Sequence, residues 1–207
     1  MGDIGNNKLY RSYHPFIKSR ADHPLEDKRL ATVQQLMIDY NIKSVINLSD
    51  KEKEIVNGVK SYHNLIKNEN LLLANQNHSY DLFYYITDKK SFTKLLNQII
   101  SFILDAKNDT PFLIHCRIGT DRTGVITAIL AAFMGGKWEE IANDYELSNQ
   151  TGIGEYRDKK LLRYALEKLL GQRFNNNNLA QLVNQYFQEK LAFKQKQLAN
   201  LKAKLGS

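Results

Sequence analysis

The residues that decide the fold are Phe112-Leu113-Ile114, then His115-Cys116-Arg117-Ile118-Gly119-Thr120-Asp121-Arg122-Thr123-Gly124, then an apolar run from Val125 to Phe133. The first three residues read as a buried strand and the last run as a buried helix, so the middle is a tight loop at a helix N-terminus. Such a loop collects free backbone N–H groups and the positive end of the helix dipole, which together make an anion site. Gly119 lets the backbone curl so that the amides point inward. Arg122 adds a planar fork that matches two phosphate oxygens. The same field favours the thiolate of Cys116, the only cysteine in the chain. A nucleophile at the floor of a phosphate cradle points to phosphoryl transfer onto sulfur.

Outward from this unit, strands alternate with helices. Leu9-Tyr10-Arg11-Ser12 reads as a short strand or turn. A helix opens at Pro24-Leu25-Glu26-Asp27 and carries Leu30, Val33, Leu36, Met37 and Tyr40 at helical spacing. Ser44 to Leu48 is a buried strand, followed by a short helix from Ser49 or Asp50 to Val56 and a further strand from Val59 to Ile66. Leu71 to Ala74 is short and apolar without a clear assignment, and Tyr80 to Asp88 reads as a loop. Ser91 to Leu104 is an amphipathic helix, with Phe92, Leu95, Leu96, Ile99, Ile100 and Ile103 on one face. Beyond the loop, Gly135-Gly136 stops its helix, and helices follow over Trp138–Leu147 and Glu155–Leu170. The pattern gives an α/β class with a central, mostly parallel sheet flanked by helices.

The chain has 207 residues and a formal charge of +7. That balance favours anionic partners. A single cysteine excludes an internal disulfide and suits a reducing, cytoplasmic compartment. No early run has the apolar core of a signal peptide, and no stretch is long and apolar enough to span a bilayer. No cluster of His, Cys and Asp suggests a metal. The composition shifts at Gly171 to Asn178. This divides the chain into a domain over residues 1–172 and a helical, basic extension over 173–207. In the extension Leu179, Leu182, Val183, Tyr186, Phe187 and Leu191 keep a helical stripe, and five lysines face one glutamate from Glu189 onward. That stripe either packs on the domain or lies on an anionic membrane surface.

Cys116, five intervening residues and Arg122, with His115 before and Thr123 after, resemble the signature loop of the cysteine-dependent protein tyrosine, dual-specificity and phosphoinositide phosphatases. The strand–loop–helix context supports the likeness. Tyr10-Arg11-Ser12 is similar to a segment near the N-terminus of several such enzymes. Asp121 directly before Arg122, and Asp144-Tyr145 followed by Ser148-Asn149, resemble the lipid-directed and broad-specificity bacterial members. The resemblance implies the cysteine-phosphatase fold and a phosphomonoesterase that works through a cysteinyl-phosphate, without metal or cofactor. It implies Cys116 as nucleophile, with Arg122 and the loop residues Arg117, Ile118, Gly119, Thr120 and Asp121 holding the phosphoryl oxygens. Thr123 would donate to the Cys116 sulfur, and His115 would orient the loop. Asn149 or Gln150 would place the hydrolytic water, or close the helix.

The leaving oxygen needs a proton. In the resembled family it comes from an aspartate on a mobile loop upstream of the cysteine. Asp81 and Asp88 both lie there; Asp81 is favoured because Asp88 sits at the start of the next helix. The Trp-Pro that precedes the acid in many tyrosine phosphatases is replaced by Asn77-His78-Ser79-Tyr80. Asp121 is a third candidate. It would serve as acid, position Arg122, assist a water, meet a substrate hydroxyl, or simply be favoured by the helix dipole. The implied substrates are a phosphorylated protein or a phosphoinositide, then inositol phosphates, with no nucleic acid. Tyr80, Phe83, Tyr84 and Tyr85 would wall a phosphotyrosine pocket; Arg117, Lys89 and Lys90 would serve a phosphoinositide. A rival reading is a catalytically silent module that only binds phosphorylated ligands.

Overall fold

The computed structural model describes residues 1–50, 70–75, 80–152 and 155–206, with Tyr80 and Asp81 described by backbone alone. The short helix and the strand expected between Ser49 and Ile66 lie outside the described residues, apart from Ser49 and Asp50.

Among the described residues, four strands form one parallel sheet: β1 (Leu9–Ser12), β2 (Ser44–Asn47), β3 (Leu71–Leu73) and β4 (Phe112–His115), in the order β1-β4-β2-β3. The central strands β2 and β4 are buried along their whole length, while β1 and β3 at the edges are half-buried. This is the pattern of a parallel sheet covered on both faces. Residues alternate between the faces. Ile46, Phe112 and Ile114 join the large core, while Val45 and Leu113 face the side of helix α1 (Glu26–Asp39). The segment from Leu71, unassigned from sequence, is β3. It pairs with β2 from Val45↔Leu71 to Asn47↔Leu73.

The large core gathers α2 (Lys90–Leu104), α3 (Asp121–Phe133), α4 (Trp138–Leu147), α5 (Lys159–Leu170), α6 (Leu179–Glu189) and α7 (Gln195–Leu205). Every residue of α3 is buried except Arg122, as befits a helix apolar on all sides. The amphipathic stripe read in α2 is the buried one, from Phe92 to Ile103. The C-terminal stripe is two helices rather than one. Leu198, Leu201 and Leu205 of α7 are buried, and α7 packs against α2. Leu179, Val183, Tyr186, Phe187 and Leu191 are buried too, so the apolar face offered for a membrane surface packs inside the protein. No described helix is long and apolar enough to cross a membrane.

Two further elements differ from the sequence reading. Tyr80–Tyr85 is a 3₁₀ helix rather than a loop. Helix α5 starts at Lys159, because Asp158 accepts the Lys160 N–H at 2.7 Å and caps it; residues 155–157 run as a strap before it.

Register at the carboxyl ends of the strands places the site. His115 sits between Ser12 of β1 and Asn47 of β2, so whatever follows those strands meets the loop after β4. Carboxyl ends of parallel strands are where ligand crevices form.

Candidate active site

The loop after β4 is held open by its carbonyls. Arg117 O accepts the His14 N–H at 3.1 Å and the Ser19 hydroxyl at 2.5 Å. Gly119 O accepts from Arg11 Nη2 at 3.0 Å. A trans peptide places its N–H opposite its C=O. The N–H groups of Ile118 and Thr120 therefore face away from this outer shell. Gly119 has φ +72°, and a Cβ there would stand 2.5 Å from the Ser12 carbonyl oxygen. Both the dihedral and the close approach require glycine.

Cys116 is buried, and its Sγ accepts the Gly119 N–H at 3.3 Å. Thr123 does not donate to the sulfur. Thr123 Oγ1 and Arg122 Nε are buried without a partner among the described residues. Arg122 Nη1 donates to the Leu48 carbonyl at 2.7 Å, which fixes the guanidinium and leaves Nε to serve another acceptor. An orphaned guanidinium N–H in the same loop as a buried cysteine suits an anion with several oxygens. Among the described residues, no group of three or more His, Cys, Asp or Glu could hold a metal.

Behind the cysteine lies a buried histidine pair. The rings of His115 and His14 meet edge-on at 4.7 Å. His115 Nδ1 lies 3.2 Å from the Cys116 carbonyl oxygen. Burial, then the His14 charge, push the His115 pKa well down, so the ring is neutral. His14 Nδ1 accepts the N–H groups of Phe16 and Ile17 at 3.1 and 3.0 Å. Its proton therefore sits on Nε2, which donates to Asp50. Asn47 Nδ2 also donates to Asp50, at 2.9 Å, and the Arg117 guanidinium approaches it at 3.9 Å. Burial alone would favour a neutral Asp50, but these donors outweigh it and hold its pKa at about 2. The sequence pattern marks Asp50 only as a helix cap and gives His14 no role. Their signal was position, since each follows the carboxyl end of a strand beside the loop.

The Asp144 to Asn149 motif acts as scaffolding. Arg11 Nη1 donates to Asp144 Oδ2 at 2.8 Å, and its Nη2 donates to Ser148 Oγ at 2.6 Å as well as to Gly119 O. One guanidinium thus ties the loop to α4. Asn149 clasps the backbone of Arg157, donating to its carbonyl at 3.0 Å and accepting its N–H at 2.8 Å. This engages the Asn149 amide with the strap. Gln150 is exposed.

The candidate acids separate. Asp121 is buried, accepting the Tyr84 hydroxyl at 2.6 Å and the Arg157 Nε–H at 2.7 Å. Asp88 is tied outward to Lys89 and Lys168, each at 3.4 Å. The Asp81 side chain lies outside the described residues. Of the expected aromatic wall, Phe83 and Tyr84 are core residues, 2% and 1% exposed, because the 3₁₀ turn packs them inward. Tyr85 is half-exposed and meets Tyr164 at 5.4 Å. Lys89 pairs with Asp88, and Lys90 is exposed at the start of α2. Arg117, 37% exposed at its side chain, stands at the loop itself.

A model of the tyrosine phosphatase family matches residues 4–207. Among solved structures, P. aeruginosa TpbA is similar, with 15% identity, a TM-score of 0.47, and 86% of this chain and 88% of that one covered. A cysteine-to-serine variant of TpbA in complex with phosphotyrosine gives 15% identity, a TM-score of 0.46, and coverage of 86% and 87%. No curated protein matches the chain.

Proposed function

Because the chain belongs to the tyrosine phosphatase family, we propose that it hydrolyses phosphotyrosine in proteins, with Cys116 as the nucleophile. The observation that carries this reading is that one loop, its Arg117 and Gly119 carbonyls tied outward, holds both a buried Cys116 and an Arg122 whose buried Nε has no partner among the described residues. In the first step the Cys116 thiolate attacks phosphorus in line. An S–P bond forms, the P–O bond to the tyrosine breaks, and the leaving oxygen takes a proton from Asp81. In the second step water attacks phosphorus and gives a proton to the Asp81 carboxylate, and the S–P bond breaks to release inorganic phosphate and the Cys116 thiolate. Arg122 and the inward amides hold the equatorial oxygens, where the transition-state charge lies. His115 and the His14–Asp50 pair fix the strand end beneath the cysteine, and Arg11 fixes the far side of the loop.

A panel of phosphotyrosine peptides, phosphoinositides and inositol phosphates, with wild type and Cys116→Ser, tests the reading. Phosphotyrosine peptides should be turned over best, without added metal, and Cys116→Ser should bind them without turnover. Preference for a phosphoinositide would overturn the substrate assignment. Binding without turnover by wild type would favour the silent module.

A further inference from the structure

A chain of polar groups is buried where the core would otherwise be apolar. Tyr84 and Tyr145 are each 1% exposed, and a buried hydroxyl needs a partner. Tyr84 donates to Asp121 Oδ1 at 2.6 Å. A phenol has one proton to give, so the 2.5 Å contact between the two phenols runs from Tyr145 to Tyr84. Asp121 Oδ1 also accepts the Arg157 Nε–H at 2.7 Å. Every proton in the chain has one direction, and each bond polarises the next. Burial, then the Asp121 charge, push the Tyr84 pKa up, so it stays a donor.

The chain joins three elements around the head of α3. Tyr84 belongs to the 3₁₀ helix at Tyr80–Tyr85, Tyr145 to α4, and Asp121 is the first residue of α3, next to Arg122. Phe83 packs edge-on against Phe92 at 5.4 Å. Tyr145 lies so close to α3 that a Cβ on Gly124 would stand 2.7 Å from its ring. The 80–85 segment is thus anchored by apolar packing at Phe83 and by a directed hydrogen bond at Tyr84.

We propose that Tyr84 is a positioning residue, fixing the acid-bearing 80–85 segment to Asp121 so that protonation of the leaving oxygen depends on its hydroxyl. This rests on the reading above that the acid belongs to that segment. It assigns Asp121 the role of anchor, and Tyr145 that of support for Tyr84.

The test is a series of aryl phosphates, from phenyl phosphate to a dinitrophenyl phosphate, turned over by wild type, Tyr84→Phe, Tyr145→Phe and Asp81→Asn. An acid matters most when the leaving oxygen is basic. Tyr84→Phe should therefore lose about tenfold on phenyl phosphate, a part of the whole acid effect, and under about twofold on the activated ester. Inhibition by inorganic phosphate should not change, since the cradle stays intact. Tyr145→Phe, which keeps the Tyr84–Asp121 bond, should show a smaller loss with the same trend and serves if Tyr84→Phe does not fold. A loss equal across the series, or none, in whichever of these variants folds overturns the proposal. Asp81→Asn tests the acid separately: a flat response there moves the acid from Asp81, while the Tyr84 result still decides whether the anchor exists.

Discussion

Arg11 and Gly119 are joined by a hydrogen bond of 3.0 Å from a guanidinium on the edge strand β1 to a carbonyl in the phosphate loop. The same guanidinium reaches Asp144 and Ser148, so the first strand and α4 set the shape of the loop between them. Few single side chains could do this, since the geometry needs a rigid fork with several donors.

Arg11→Lys should therefore lower kcat/KM about a hundredfold, because a small misplacement of the loop amides costs about that much. The loss should be equal for good and poor leaving groups, which separates it from the effect expected at Tyr84. Steady-state kinetics on phenyl and dinitrophenyl phosphate make the comparison.

Gly119→Ala should damage both stability and activity. The left-handed backbone alone costs about 1–2 kcal/mol for a residue with a Cβ, and the new methyl would strike the Ser12 carbonyl. Thermal melting with and without phosphate should show a lower midpoint and a lost phosphate-induced shift.

Acidification should weaken the fold in two stages. His14 and His115 have lowered pKa values, chiefly from burial. The unfolded chain takes up protons that the folded one resists, so their share of stability is complete above about pH 6.5 and falls below it. Asp50 is held at about 2, against an ordinary 3.8. Its share is present above pH 3.8 and is lost as the pH drops toward 2. Urea midpoints should stay level from pH 8 to about pH 6.5, fall below that, and fall again below pH 3.8; a rise between pH 7 and pH 5 would contradict the neutral histidine pair.

Leu201→Ala should cost about 2–5 kcal/mol, the range for a fully buried leucine, because Leu201 is buried on the face α7 turns to the core. A denaturant melt measures this. An unchanged midpoint would mean that the α7 stripe is not core.

Much of the site was legible because its residues are consecutive. Cys116, Gly119 and Arg122 share one loop, and the strand and helix around it are plain apolar runs. The amphipathic period of α2 and the buried strands β2 and β4 were equally direct. The shell was not legible, because its partners are far apart in the chain. Nothing local in Arg11, Asp144 and Ser148 says that they share one guanidinium. Nor does the run from Tyr80 to Tyr85 say that Tyr84 turns inward to Asp121; its mixed composition reads as a loop until the core packs Phe83. The three residues of β3 were too short for a period to be read, and they became a strand through pairing with β2.

The central claim is that Cys116 carries the phosphoryl group between the two steps. A rapid denaturing quench of excess enzyme with a phosphotyrosine peptide, followed by mass spectrometry of the fragment containing Cys116, tests it most directly. The account predicts one phosphoryl group on Cys116, formed without divalent metal and absent from Cys116→Ser. A phosphoryl group on another residue, or hydrolysis by Cys116→Ser at a rate near wild type, would contradict it.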